Sequence, residues 1–455
     1  MTIWTPRVSP HNGNLSQGIL DQLATDVRSG RLASGTPLPT QRVLAEKLGV
    51  SLGTVTRAYN MGREQGLLSA TTGRGTYVAQ QHYHSANEGV VNLSQNYFLR
   101  ESLDPGVRSL LARMGEVPPM VACLDHYLPY EGLLRHREVL ARWLSRPDWK
   151  VDPEQVVITC GAQHGIFLLL MTLAARGETV LAESMTYTGV KSAATALGLN
   201  LQGVEMDEQG IRPDALESAC KKTKARLLYV VPTLQNPTGA VMGVARRQEI
   251  AKVARRLNLN VIEDDVYGFL LEDPPPPLAR LLPDRCYFIN SLSKSVAPGL
   301  RFGFAVAPRA AAPRLADGVR AMTLEAPSFA VEVGCRWISD GTAARVARWK
   351  REEARERWDQ ARAILGGFAV GGSHSSGHLW LHLPDAWRPA SFTARLQALG
   401  VLVSPAEAFA TNPSKAPNAV RICLGAEASR ERLVHALHLI AGVLRQLPAH
   451  SAVVT

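Results

Sequence analysis

A single lysine set among small hydroxyl residues, at the end of an apolar run, restricts this chain most. Arg285-Cys286-Tyr287-Phe288-Ile289-Asn290 reads as a buried strand, and Ser291-Leu292-Ser293-Lys294-Ser295-Val296-Ala297-Pro298-Gly299-Leu300-Arg301-Phe302-Gly303 breaks it. An amine placed there can form a Schiff base with an aldehyde once partial burial and cationic neighbours lower its pKa. Ser291, Ser293 and Arg301 supply hydroxyls and a planar cation, the donors that suit a phosphate. An aldehyde and a phosphate on one ligand point to pyridoxal 5′-phosphate (PLP). On this segment alone the plain alternative is a strand end with a solvated lysine and a basic loop.

The residues before it enlarge the pattern. Val156-Val157-Ile158-Thr159-Cys160 reads as a parallel-type strand, and Gly161-Ala162-Gln163-His164-Gly165 turns it into an apolar helix, whose free N–H groups would face an anion. Strands are also expected over 179–182, 227–231 and 260–262. They lead into Tyr187, which could stack on a flat ring; Asn236, which can donate from its amide; and Asp264 with Asp265, a carboxylate able to hold a pyridine nitrogen protonated. Taken singly, these are a core tyrosine, a turn former and helix caps. As an ordered set they fall at the carboxyl ends of the strands of a doubly wound α/β domain, where ligands of such folds gather.

A smaller C-terminal α/β domain is expected from about residue 305 to 455. It contains a charged helix over roughly 342–365, whose charges read as a solvated face, and strands over 377–383 and 418–425. The last strand holds Arg421 in an apolar run. A buried arginine needs an anion, either a ligand's carboxylate or a structural partner.

The first 80 residues are a separate unit. Apolar spacing predicts helices over 15–30, after Thr40, and after Ser51 as far as about Gly66; Leu67-Leu68-Ser69 and Thr76-Tyr77-Val78 then flank a Gly73-Arg74-Gly75 tip. Two short helices, a tight turn and a hairpin describe a winged helix-turn-helix. Eight cations against four anions here suit phosphate contacts. A winged helix used for protein contacts is the alternative. Residues 81–90 read as a linker.

The chain has 455 residues, 46% apolar and 20% charged, with a net charge of +10, so it is a globular chain with two or three domains. Six scattered cysteines are expected to be reduced. No apolar run is long enough for a membrane span and the N-terminus lacks a signal-peptide core, so a cytoplasmic protein with no membrane partner is expected.

The N-terminal unit resembles GntR-family transcription factors through Gly30-Arg31-Leu32, Leu38-Pro39-Thr40-Gln41-Arg42-Val43-Leu44-Ala45, Leu48-Gly49-Val50-Ser51, Thr54-Val55, Arg57-Ala58-Tyr59 and Gly73-Arg74-Gly75-Thr76. The resemblance implies double-stranded operator DNA as a partner, with Arg42, Ser51, Thr54, Arg57 and Arg74 on the reading face. Many relatives carry arginine where this chain has Leu52. Residues 91–455 resemble a fold-type I PLP-dependent aminotransferase through Asn236-Pro237-Thr238-Gly239, Asp264…Tyr267 and Ser291-Leu292-Ser293-Lys294…Arg301. By that resemblance Lys294 is the catalytic, imine-forming lysine, Asp264 pairs with the pyridine nitrogen, and Tyr267 and Asn236 contact the ring hydroxyl oxygen. Tyr187 stacks on the ring; the Ala162 and Gln163 backbone, Ser291, Ser293 and Arg301 take the phosphate; Arg421 grips a carboxylate. A winged helix on such a body is the layout of MocR-type regulators. It implies a head-to-tail homodimer with an amino acid, amine or PLP as effector. An active aminotransferase carrying an N-terminal appendage stays open beside it.

Overall fold

The computed structural model describes residues 4–6, 15–28, 31–32, 36–64, 67–71, 75–78, 89–97 and 126–446. The chain divides into two compact units, Met1–Glu88 and Gly89–Thr455.

In the first unit, helices Leu15–Arg28, Gln41–Leu48 and Leu52–Glu64 precede strands Leu68–Thr71 and Gly75–Val78, which pair antiparallel. Thr40 Oγ1 accepts from Val43 N and starts the second helix; Gly49, at φ 64°, ends it. Ser51 Oγ accepts from Thr54 N at 3.1 Å and starts the third. Ile19, Leu23, Leu44, Val55, Tyr59 and Val78 are buried together. The hairpin tip, with Arg74, lies outside the described residues.

The second unit is built on a seven-stranded sheet. Its order is Val156–Thr159, Gly303–Val306, Cys286–Ser291, Asn260–Asp264, Leu227–Val230, Thr179–Glu183, Asn200–Val204. Side chains alternate across it: Val156 and Ile158 enter one core with Leu140, Leu216 and Ile250, while Val157 enters the other with Ile166, Val190 and Val319. Helices thus cover both faces, as doubly wound sheets require. One expectation is corrected here. Val156–Thr159 is an edge strand whose partner in the sheet, Gly303–Val306, runs antiparallel to it.

The smaller sheet is antiparallel, in the order Val370–Gly371, His378–His382, Ala419–Cys423, Ser404–Pro405. It does not begin near 305. Gly303–Val306 belongs to the large sheet, and helices Ala312–Thr323 and Ser328–Ser339 pack on the large sheet's two cores. The smaller core starts at Trp358, in the last third of helix Thr342–Leu365, and takes Val91 and Leu93 from the other end of the unit.

That long helix corrects a second expectation. Lys350, Glu353 and Arg357 are buried, at 1%, 7% and 2% exposure, so its charge run is not simply a solvated face. The five described cysteines are free. Among the described residues no helix is long and apolar enough to cross a membrane, and no group of His, Cys, Asp or Glu could hold a metal ion.

Candidate cofactor site and nucleic-acid interface

Lys294 sits on a one-turn helix, Leu292–Ser295, directly after strand Cys286–Ser291. Ser291 Oγ is committed to that turn, accepting from Ser293 N at 3.3 Å. The half-buried Lys294 amine donates to the Asn96 carbonyl at 2.5 Å, and the Asn96 amide donates to Tyr267 Oη at 2.7 Å. Burial pushes the Lys294 pKa down to about 8; the Arg421 and Arg301 cations act the same way, against Cys423 and Asp264. An amine so placed is neutral, and therefore nucleophilic, far below the usual lysine range.

Asp264 ends strand Asn260–Asp264 and is buried. Burial raises its carboxyl to about 6, opposed by the Tyr229 hydroxyl, which donates to Oδ2 at 2.7 Å. The two neighbouring aspartates part company. Asp264 acts electrostatically on Lys294, Tyr187 and Tyr267, whereas Asp265 is met by Thr233, Arg247 and Arg146.

At the opposite end, helix Ala162–Leu173 starts after Gly161 with no side-chain cap, which leaves its first N–H groups to a ligand. Arg301 stands against that start. Its Nη2 lies 3.4 Å from Cys160 O and its Nη1 3.4 Å from Ser293 Oγ. A Cβ on Gly161 would sit 2.7 Å from Arg301 Nη2, so a glycine (here at φ 82°) is required for the arginine to come this close. Gln163 donates to Gly189 O at 3.0 Å. A Cβ on Gly189 would meet both Gln163 Oε1 and Tyr187 Cε1 at 2.2 Å, so those two side chains share one face of the site.

Arg421, on strand Ala419–Cys423, is 5% exposed. Its Nη1 donates to Asn236 Oδ1 at 2.8 Å and its Nη2 to Ser94 O at 2.5 Å, and its guanidinium lies 4.5 Å from the Phe409 ring centroid. This bond uses the Asn236 oxygen and leaves its amide N–H groups to donate elsewhere. Among the described residues no carboxylate lies within ion-pair distance of Arg421.

The residues present fit PLP. Buried side-chain atoms without a hydrogen-bond partner include Asn96 Oδ1, Gln163 Oε1, His164 Nε2, Thr186 Oγ1, His378 Nδ1 and Arg421 Nε. Buried polar groups are rarely left unpaired; here the unpaired ones include Arg421 itself, Gln163 at the helix start, Asn96, which is hydrogen-bonded to Lys294 and Tyr267, and His378, whose ring meets Tyr267.

Four contributors were not legible in the sequence. Tyr229 and Asn96 are two. His378 is a third: its Nε2 lies 3.0 Å from Gln235 O, its ring makes an edge contact with Tyr267, and burial pushes its pKa down to about 3, so it stays neutral. Lys350 is the fourth; its Nζ donates to Lys294 O at 2.9 Å and to Val296 O at 2.8 Å. On the same helix Arg351 donates twice to Phe269 O, just beyond Tyr267. Arg357 donates to Leu424 O, Glu427 O and Ala428 O, just beyond the Arg421 strand.

In the N-terminal unit, Arg42 and Arg57 are exposed, at the start of the second helix and on the third. Ser51 Oγ and Thr54 Oγ1 are 2.9 Å apart at the start of the third helix. These four residues share one short helix pair.

Residues 88–440 match the family Aminotransferase class I and II, and residues 15–78 match Bacterial regulatory proteins, gntR family. The uncharacterized HTH-type transcriptional regulator YdeF of Bacillus subtilis is 28% identical over 98% of this chain and 97% of its own length. The HTH-type pyridoxine biosynthesis transcriptional regulator PdxR of Corynebacterium glutamicum is 30% identical over 66% of this chain and 68% of its own. Among solved structures, LysN, an α-aminoadipate aminotransferase of Thermus thermophilus complexed with N-(5′-phosphopyridoxyl)-L-leucine, superimposes with a TM-score of 0.71 at 25% identity, covering 79% of this chain and 93% of that one. With a GntR-type DNA-binding head on an aminotransferase class I and II body of fold type I, whose cofactor is pyridoxal phosphate, the chain belongs to the MocR-type branch of the GntR-family transcriptional regulators.

Proposed function

We propose that this regulator senses an amino acid, an amine or PLP itself in the body, through Lys294 and Arg421, and converts its binding into altered operator affinity. One observation carries the reading. Arg421 is a buried cation with a free Nε and no carboxylate partner among the described residues, and its charge already acts on Lys294. A buried charge is costly unless paired, so a ligand carboxylate is the partner this geometry suits.

When bound, PLP supplies an electrophilic aldehyde and an electron-withdrawing ring. Lys294 would hold the aldehyde carbon, Asp264 the ring nitrogen, and Tyr267 with Asn236 the ring oxygen. Tyr187 would cover the ring face, and the Ala162 and Gln163 backbone, Ser291, Ser293 and Arg301 would hold the phosphate. Arg42, Ser51, Thr54, Arg57 and Arg74 would face DNA. A head-to-tail homodimer is part of the proposal, presenting two heads to two half-sites. An effector can shift operator affinity only by binding two states of the protein unequally.

The competing reading is a working aminotransferase. The complete residue set around Lys294 favours it, as does 30% identity to the 2-aminoadipate transaminase of T. thermophilus over 56% of this chain. Titration of the PLP-loaded protein with an amino-acid panel, with and without keto acids, separates the two. The regulator reading expects a change in visible absorption together with changed operator binding, without sustained turnover. Multiple turnover by a protein that ignores DNA overturns it.

A further inference from the structure

The start of the Leu52–Glu64 helix holds a specificity determinant that its polar residues do not supply. In a helix-turn-helix, the first turn of the second helix meets base edges in the major groove. Here the polar groups of that turn are engaged with one another or with the neighbouring helix. Ser51 and Thr54 share a hydrogen bond, Ser51 Oγ also caps Thr54 N, and the Thr56 hydroxyl donates to Gln41 Oε1 at 2.8 Å. Leu52, the first residue of the helix, points no comparable group outward. It is 48% exposed, the most exposed of the large apolar side chains described in this unit.

Gly53 beside it is a second, independent sign. A glycine inside a helix costs about 1 kcal/mol relative to alanine. A Cβ at Gly53 would meet nothing closer than Ser51 Oγ at 3.7 Å, so packing within the chain does not forbid a side chain there. The bare backbone leaves room for close approach from outside. In the major groove, the one apolar feature that a base edge presents is the C5-methyl group of thymine.

We propose that Leu52 reads a thymine methyl in each operator half-site, with Gly53 allowing the helix start to close on it. The inference rests on the DNA-binding reading of this head, and the test separates the two. Duplexes are selected from a random-sequence library with the full-length, PLP-loaded protein. Each thymine of a selected duplex is then replaced by uracil, which pairs identically but lacks the methyl. At one position per half-site, uracil should weaken binding about fourfold, the worth of one buried methyl. Leu52→Ala should lose a similar factor on the thymine duplex and become indifferent to uracil there, with unchanged salt dependence because no phosphate contact is touched. Leu52→Arg should move the preferred base at that position to guanine. Wild-type binding unaffected by uracil at every position, or a Leu52→Ala protein still penalised by it, overturns the assignment and leaves DNA binding standing. Failure to enrich any duplex overturns both.

Discussion

Lys350 Nζ donates to the main-chain carbonyl of Lys294 at 2.9 Å, so the cation of a buried lysine holds the backbone of a half-buried one. The same ammonium also takes Val296 O, closing the turn from the far side. Lys350→Met leaves two carbonyl oxygens short of a donor, at a cost on the order of 2 kcal/mol. The apo-protein should melt several degrees lower, and PLP should dissociate at least fivefold faster. The visible absorption band should persist in this variant and vanish in Lys294→Ala. Absorption spectra with equilibrium dialysis check both; wild-type PLP retention in Lys350→Met would reduce the contact to scaffolding.

The depressed pKa of Lys294 sets a pH course. Below about 8 the amine is protonated, and above it the neutral form is ready to react. Reconstitution of apo-protein with PLP should therefore quicken as pH rises and level off above about 8. Arg421 disfavours the protonated amine. Arg421→Met should thus move the midpoint upward, measured by stopped-flow absorbance. Stability follows the same sign. The folded pKa lies below the unfolded one, so the buried ammonium is a cost that is complete below pH 8 and disappears as pH climbs toward the unfolded value. Lys294→Met should stabilise the apo-protein at pH 7 and lose that advantage near pH 10.

Tyr229 tunes the carboxylate. Its hydroxyl donates to Asp264 Oδ2 and holds the pKa of that group lower than burial alone would leave it. Tyr229→Phe should raise the Asp264 pKa further and leave more of it uncharged near neutrality. PLP affinity should drop on the order of tenfold at pH 6.5, by the worth of a hydrogen bond to a charged group, and by less at pH 8.5, where Asp264 is ionised in either protein. Dialysis at the two pH values reads the difference.

The head predicts a separation between contact and scaffold. Arg57→Ala and Arg42→Ala should each lower the slope of log affinity against log salt by about 1 in magnitude, with little change in melting temperature. Ser51→Ala removes a helix cap as well as a DNA-facing hydroxyl, so it should cost the head about 1 kcal/mol of stability while leaving the salt slope unchanged. Gel shifts over a salt series, beside thermal melts, distinguish the two classes.

How much of this was legible in the sequence depended on range. The turn around Lys294 could be read because its hydroxyls, amine and guanidinium lie within a dozen residues, and strand ends in α/β sheets converge by rule. Thr40 and Ser51 could be read because capping is local. Asn96 could not, since it meets Tyr267 across 171 residues. Tyr229 reads as one more apolar strand residue until the sheet places it beside Asp264. Lys350 was read as solvent-facing because charge patterning along a helix cannot tell which of several cations turns inward. The start of the smaller domain was placed too early because helices Ala312–Thr323 and Ser328–Ser339 pack on the large sheet's cores, which local spacing cannot show.

One helix, Thr342–Leu365, is stapled to the loop beyond Tyr267, to the turn bearing Lys294, and to the loop beyond Arg421. Any shift of the arginine strand would therefore pull on a girder whose other rivets hold the lysine turn. If Arg421 holds an anion as proposed, the pull on its strand and the position of the lysine turn would share one rigid support, and a molecule engaging only one of them would meet the stiffness of the whole beam.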